Sequence, residues 1–153
     1  MNIKGKPIEI LMADDDPEDC MLVKDAWQES RLVNNLNFVE DGEALMDYLF
    51  HRGKYSDPVS APTPDLILLD LNMPRKDGRE ALKEIKSNPE LRRIPVVILT
   101  TSKEEADILS TYDLGANSFI KKPVTFESLV DVVKTLAKYW FQIVELVPEN
   151  EGI

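Results

Sequence analysis

The chain has 153 residues and a mass of 17.4 kDa, enough for one domain with a single substantial core, and no second folded domain is expected. Acidic side chains number 28 against 18 basic ones, a formal net charge of −10 that argues against binding to nucleic-acid backbone or to an anionic membrane. Cys20 is the sole cysteine, which excludes an internal disulfide and a cysteine-based zinc centre; with no apolar run of membrane-spanning length and no signal-peptide pattern, a cytoplasmic protein is expected.

A polar start ends at Pro7, and the apolar run Ile8–Ala13 predicts a first strand that stops at Asp14-Asp15-Asp16-Pro17. A helix begins there: Asp16 suits the N-cap, Pro17 the first helical position, and Glu18 and Asp19 the positive end of the helix dipole, ahead of Val23, Ala26 and Trp27. Asp14 and Asp15 are left at the strand end with no evident capping role. Leu36–Val39 predicts a thinner second strand, and Asp41-Gly42-Glu43 opens a helix with Leu45 and Leu49 on one face. His51 ends that helix, where a lone histidine suits the dipole better than a ligand role. Residues 52–64, with Pro58, Pro62 and Pro64, form a loop longer than most connections.

Leu66-Ile67-Leu68-Leu69 is apolar at every position, the pattern of a strand buried on both faces inside a parallel sheet, and it ends at Asp70. Gly78 to Ser87 predicts a helix stopped by Asn88-Pro89, and Pro95–Thr100 a fourth strand, again apolar throughout until its terminal threonine. Ser102-Lys103-Glu104-Glu105 has capping-box spacing and opens a helix that ends at Gly115. Ser118–Lys121 is a short fifth strand, followed by Lys122-Pro123. Thr125 caps a last helix whose apolar residues Phe126, Leu129, Val133, Leu136, Trp140 and Val144 recur every three or four positions. Such a helix would run about 19 residues, or roughly 28 Å.

Strands alternating with helices predict an α/β fold with a five-stranded parallel sheet, helices on both faces and right-handed crossovers. The first, third and fourth strands are the solidly apolar ones and belong at the centre, so the order 2-1-3-4-5 fits. Its switch point lies between strands one and three and brings Asp14, Asp15 and Asp70 together, with Thr100 and Lys122 at the ends of strands four and five. Two like charges about 4 Å apart repel by about 4 kcal/mol at an effective dielectric near 20, so three crowded carboxylates call for a cation. An all-oxygen donor set favours Mg2+, with Mn2+ admissible, and Lys122 adds a fixed positive charge. With the Thr100 hydroxyl, the constellation suits an incoming phosphoryl group, for which Asp70 would be the nucleophile.

The acidic pair, the run Asp70-Leu71-Asn72-Met73-Pro74 leading to Asp77-Gly78, the Ile98-Leu99-Thr100-Thr101 turn and Lys122-Pro123, in this order and spacing, resemble the response-regulator receiver domains of two-component signalling over about Ile8 to Lys138. The resemblance implies a flavodoxin-like fold in which Asp70 accepts phosphate from the phosphohistidine of a sensor histidine kinase, a switch rather than an enzyme. It implies a magnesium ion on Asp15, Asp70 and the backbone carbonyl of Asn72, with Asp14 acting through water. It also implies a cis Lys122-Pro123 peptide that aims the lysine inward. Thr100 and Phe119 match the family's hydroxyl-plus-aromatic switch pair, with phenylalanine where tyrosine is also common.

The long loop before Asp70 and the apolar extension beyond Lys138 look like those of stand-alone receivers that partner bacterial phytochrome-type histidine kinases. Only a short acidic tail follows Pro148, so no output domain is expected. The extension, about residues 139–153, carries Tyr139, Trp140, Phe141, Ile143 and Val144, apolar groups all round a helix, and predicts a homodimer, with folding back across its own sheet as the alternative. Two rivals stand beside the receiver. Asp14-x-Asp16 after an apolar strand is similar to aspartyl-phosphate hydrolases of the haloacid-dehalogenase type, with Asp14 as nucleophile and Asp16 as acid/base, although Asp16-Pro17 reads better as a helix start. A receiver-shaped module that never takes phosphate is disfavoured because every phosphotransfer position is filled.

Overall fold

The computed structural model describes residues 8–29, 34–101, 105–122 and 125–138. Five strands, β1 Ile8–Ala13, β2 Asn34–Val39, β3 Leu66–Leu69, β4 Val96–Thr100 and β5 Ser118–Lys121, form one sheet in the order β2-β1-β3-β4-β5, with every pair parallel. Five helices alternate with them: α1 Pro17–Glu29, α2 Gly42–Leu49, α3 Gly78–Ser87, α4 Glu105–Asp113 and α5 Phe126–Lys138. Strand order and element order agree with the sequence reading. β2 begins at Asn34 rather than Leu36, and its extra polar length is accommodated at the sheet edge, where the Asn35 amide donates to Glu9 at 2.9 Å and the Asn37 amide to the Tyr48 hydroxyl at 3.1 Å.

The continuous apolar runs of the central strands are explained by two cores. Successive side chains along a strand point to opposite faces. Leu11, Ala13, Ile67, Leu69, Val96 and Ile98 join Leu45, Leu49, Leu82 and Ile85 of α2 and α3 on one face. Ile10, Met12, Leu66, Leu68, Val97 and Leu99 join Val23, Trp27, Leu129 and Val133 of α1 and α5 on the other. All four positions of β3 and all five of β4 are buried, so neither strand has a solvent face to keep polar.

Among the described residues, four helices that leave the functional end of the sheet, α1, α2, α3 and α5, start on a residue able to satisfy free N–H groups. Asp16 accepts from the Glu18 N–H at 2.9 Å, Asp41 from Ala44 at 2.7 Å, Asp77 from Arg79 at 2.7 Å, and Thr125 from Ser128 at 3.1 Å. The Asp70 loop returns tightly to α3: the Gly78 N–H donates to the Leu71 carbonyl at 2.9 Å, and a Cβ at Gly78 would overlap the Asp70 carbonyl oxygen. Glycine is therefore required there by contact, not by dihedral angle. Gly115, with φ +108°, is the left-handed stop expected after α4.

His51 adopts φ +56°, and its Nε2 lies 2.9 Å from the Ala61 carbonyl, so the ring ties the long loop back to the end of α2. That loop has its own order, a turn of 3-10 helix at Gly53–Tyr55 and a tilted Tyr48–Tyr55 ring contact at 5.3 Å. The capping residues Ser102, Lys103 and Glu104, the Lys122-Pro123 peptide bond and the extension carrying Tyr139, Trp140, Phe141, Ile143 and Val144 lie outside the described residues.

Candidate phosphoacceptor site

The site sits at the carboxyl edge of the sheet, on the switch point between β1 and β3. Asp14 follows the last residue of β1 and is buried; its backbone N–H donates to Val39 at 3.0 Å. Asp70 follows β3, is also buried, and its N–H donates to the Ala13 carbonyl at 3.0 Å. Ladder bonds of this kind fix the two carboxylates side by side before any side-chain contact is made. Thr100 closes β4 and is wholly buried, and the Lys122 N–H donates to its carbonyl at 2.8 Å. All five residues singled out in the sequence are brought to this edge.

Lys122 is the hub. Its Nζ lies 2.6 Å from Asp14 Oδ2, 2.6 Å from Asp19 Oδ2 and 3.1 Å from Asp70 Oδ2. The Thr100 hydroxyl donates to Asp70 Oδ1 at 2.7 Å, and the Asn72 N–H donates to the same oxygen at 3.2 Å. Asp14 has a local bonding role that the sequence did not reveal: its Oδ1 accepts the Asp16 N–H at 2.9 Å. Burial pushes the Asp14 carboxyl up to about 6, against the lowering pull of its bonds from Lys122 and Asp16. Burial likewise opposes the Lys122 charge, but its bonds to Asp14 and Asp19 and the charge of Asp70 outweigh this and hold the ammonium above the ordinary lysine range. Cys20 lies beside the cluster; burial, then the charges of Asp14 and Asp19, push its thiol up to about 12, so it stays protonated.

One carboxylate oxygen from each of Asp14, Asp15 and Asp70 falls within 4.8 Å of the others, two from buried residues and one from an exposed one. Hard oxygen donors at that spacing, open to solvent on the Asp15 side, fit a divalent cation of the Mg2+ or Mn2+ kind. Asp16 spends its carboxylate on the α1 N-cap, so it is not arranged as the acid/base of a hydrolase. Phe119 sits opposite Ile98 in the β4–β5 register, partly buried against the same core, and its N–H donates to the Tyr112 hydroxyl at 3.1 Å.

Two contacts escaped the sequence. Asp19 was accounted for as a dipole partner, yet it reaches Lys122; the available signal was that α1 starts three residues after Asp14, so its first turn must border the site. Arg79 at the start of α3 forms a two-bond pair with Asp107 of α4 at 2.8 and 2.7 Å and a third bond to Asp77 at 3.1 Å, holding α4 against α3.

With this geometry, comparison with known proteins is informative. The model of the response regulator receiver domain matches residues 10–134, and the chain belongs to that family. Response regulator Rcp1 of Synechocystis sp. is 41% identical over 140 residues, covering 92% of this chain and 93% of that protein. The crystal structure of the phosphorylated cyanobacterial phytochrome response regulator RcpA is 41% identical, superposes with a TM-score of 0.87 and covers 94% of this chain and 100% of its own. The Mn2+-bound form of Rcp1 is 41% identical, with a TM-score of 0.84 and coverage of 93% and 100%. The chain is thus a phosphoacceptor switch of a two-component phosphorelay, partnered by a histidine kinase. Among the described residues, no helix is long and apolar enough to cross a membrane.

The raised Asp14 pKa has a consequence for stability. A carboxyl that ionises near 6 in the fold but near 3.8 when unfolded binds more protons in the folded state between those values, so its contribution to stability falls as pH rises from about 4 and is fully lost above about 6. In chelator, Asp14→Asn is expected to be more stable than wild type at pH 7.5 by about 2 to 3 kcal/mol, with the gap closing toward pH 4. Urea denaturation at both pH values checks this; equal stability at pH 7.5 would contradict it.

Proposed function

We propose that Asp70 is the phosphoacceptor. The observation that carries this reading is the convergence on its two oxygens: Thr100 Oγ1 at 2.7 Å on one and Lys122 Nζ at 3.1 Å on the other, beside the Asp14 and Asp15 carboxylates. An Asp70 oxygen attacks the phosphorus of a kinase phosphohistidine, the P–N bond breaks, and its electron pair stays on the imidazole nitrogen. Catalysis here is positioning and charge neutralisation, because the transferred group carries its charge on peripheral oxygens. Lys122 neutralises one developing charge and holds the Asp70 carboxylate in place. Asp15, Asp70 and the Asn72 carbonyl would hold the divalent cation, with Asp14 through water, and when bound it supplies Lewis-acid neutralisation of the phosphoryl oxygens.

The switch follows from Thr100. A phosphoryl group adds a charge of about −1.5 to −2 and three acceptor oxygens, a stronger pull on the Thr100 hydroxyl than the carboxylate it now bonds. Its movement changes the packing at the end of β4, and Phe119, partly buried on the adjacent edge strand, takes the space released. The partner we favour is a phytochrome-type histidine kinase in the cytoplasm, supported by the phytochrome response regulators among the similar proteins. Self-association through residues 139–147 is the accompanying proposal, supported by the apolar residues of that segment. We assign no enzymatic activity of its own to the chain, and neither nucleic acid nor membrane as a partner, in keeping with its net charge of −10.

Incubation with phosphoramidate, whose P–N bond mimics phosphohistidine, should add one phosphoryl group, seen by intact-mass spectrometry. Asp70→Asn or excess EDTA is expected to abolish the gain; full labelling of the variant would exclude Asp70, and unchanged labelling in EDTA would exclude the cation. Thr100→Ala should still be labelled but should lose the amide shifts that labelling produces around Phe119. Wild-type shifts in that variant would break the proposed coupling.

A further inference from the structure

We infer that Asp19 is a positioning residue for Lys122, the counter-charge that keeps the ammonium at the site when Asp14 and Asp70 are engaged by a divalent cation. This rests on the reading of Asp14, Asp15 and Asp70 as the cation cluster. Three carboxylates share the ammonium, and two of them, Asp14 and Asp70, belong to that cluster. Both Asp14 oxygens are already used, Oδ1 by the Asp16 N–H and Oδ2 by Lys122, so a cation at Asp14 competes directly with the lysine. Among the described residues, Asp19 is the one side-chain partner of the Lys122 ammonium outside the cluster, and at 2.6 Å it binds as closely as Asp14 does.

Among the described residues, the surroundings give the Lys122 ammonium no other polar side chain on that side. A cavity of about 30 Å³ beside it is lined by Asp19, Leu22, Val23, Leu99, Lys122 and Leu129, so apart from the pair itself its walls are apolar. Without the Asp19 carboxylate, the ammonium falls back on Asp14 and Asp70, the oxygens a cation needs. Asp19 itself is well anchored: it lies in the first turn of α1, whose N-cap bond is made by Asp16 and whose Val23 and Trp27 are buried in the core. Its side chain is less than one-third exposed, so water screens the contact only in part.

The test is a Mg2+ titration of the full chain by calorimetry, in a two-by-two set of wild type, Asp19→Asn, Lys122→Met and the double variant, with Glu18→Gln as a control of equal charge change on the same turn. Asp19→Asn is expected to weaken Mg2+ binding roughly fivefold with Lys122 present and less than about twofold in the Lys122→Met background, since the effect runs through the lysine. Glu18→Gln is expected to follow wild type. Unchanged binding in Asp19→Asn, an equal loss in both lysine backgrounds, or an equal loss in Glu18→Gln would each overturn the inference. Should Lys122→Met fail to fold, the comparison of Asp19→Asn with Glu18→Gln decides it. Failure of wild type to bind Mg2+ would overturn the cation reading itself, whereas wild-type binding that Asp19→Asn leaves intact overturns the role of Asp19 alone.

Discussion

Everything at the functional edge depends on one ammonium group meeting more carboxylates than it can neutralise. Lys122 is within 3.1 Å of Asp14, Asp19 and Asp70, and Asp15 adds a further negative charge beside them. A fold selected for stability alone would not gather these charges, because removing a carboxylate from water costs several kcal/mol and one lysine repays it only in part. The remaining imbalance favours added positive charge at the site. Were Asp70 to take the phosphoryl group as proposed, that group would enter a place whose hydrogen bonds and charges are already divided among competing partners, so several contacts would change together.

The sheet makes this crowding possible by fixing backbones, not side chains. The Asp14 and Asp70 N–H groups belong to the ladder that continues β1 and β3, and Lys122 is tied through its own N–H to Thr100. Two apolar cores, one on each face, hold those strands against the repulsion at their ends. Gly78 and Gly42 let the Asp70 loop pass within contact of α3 and α2, where any side chain would strike a carbonyl. Beyond the site, the Arg79–Asp107 pair and the Tyr112–Phe119 bond connect α4 to α3 and to β5 through specific polar contacts.

What was legible in the sequence is what has a local signature. Unbroken apolar runs in Leu66–Leu69 and Val96–Leu99 predict doubly covered central strands, and Asp16, Asp41 and Gly115 mark helix ends by chemistry that acts within a few residues. Strand-end acids converge once strand order is known, which is why Asp14, Asp15, Asp70, Thr100 and Lys122 could be grouped before any coordinates. Contacts that cross between helices have no such signature. Asp19 already had an adequate local role at the helix dipole, and nothing in its spacing separates that role from a reach toward Lys122, 103 residues away. Arg79 and Asp107 are 28 residues apart on different helices, and the His51 bond to Ala61 depends on how a long loop folds back.

The central claim, that Lys122 is the charge that makes the acidic cluster tolerable before a cation arrives, is tested most directly by the stability of Lys122→Met measured with and without Mg2+ at neutral pH. Removing one partner from a buried ion pair is expected to cost about 3 kcal/mol in chelator. Saturating Mg2+ should then restore more stability to the variant than it adds to wild type, since a cation takes over part of the lysine's charge. A variant as stable as wild type in chelator, or one that gains no more from Mg2+ than wild type does, would contradict it.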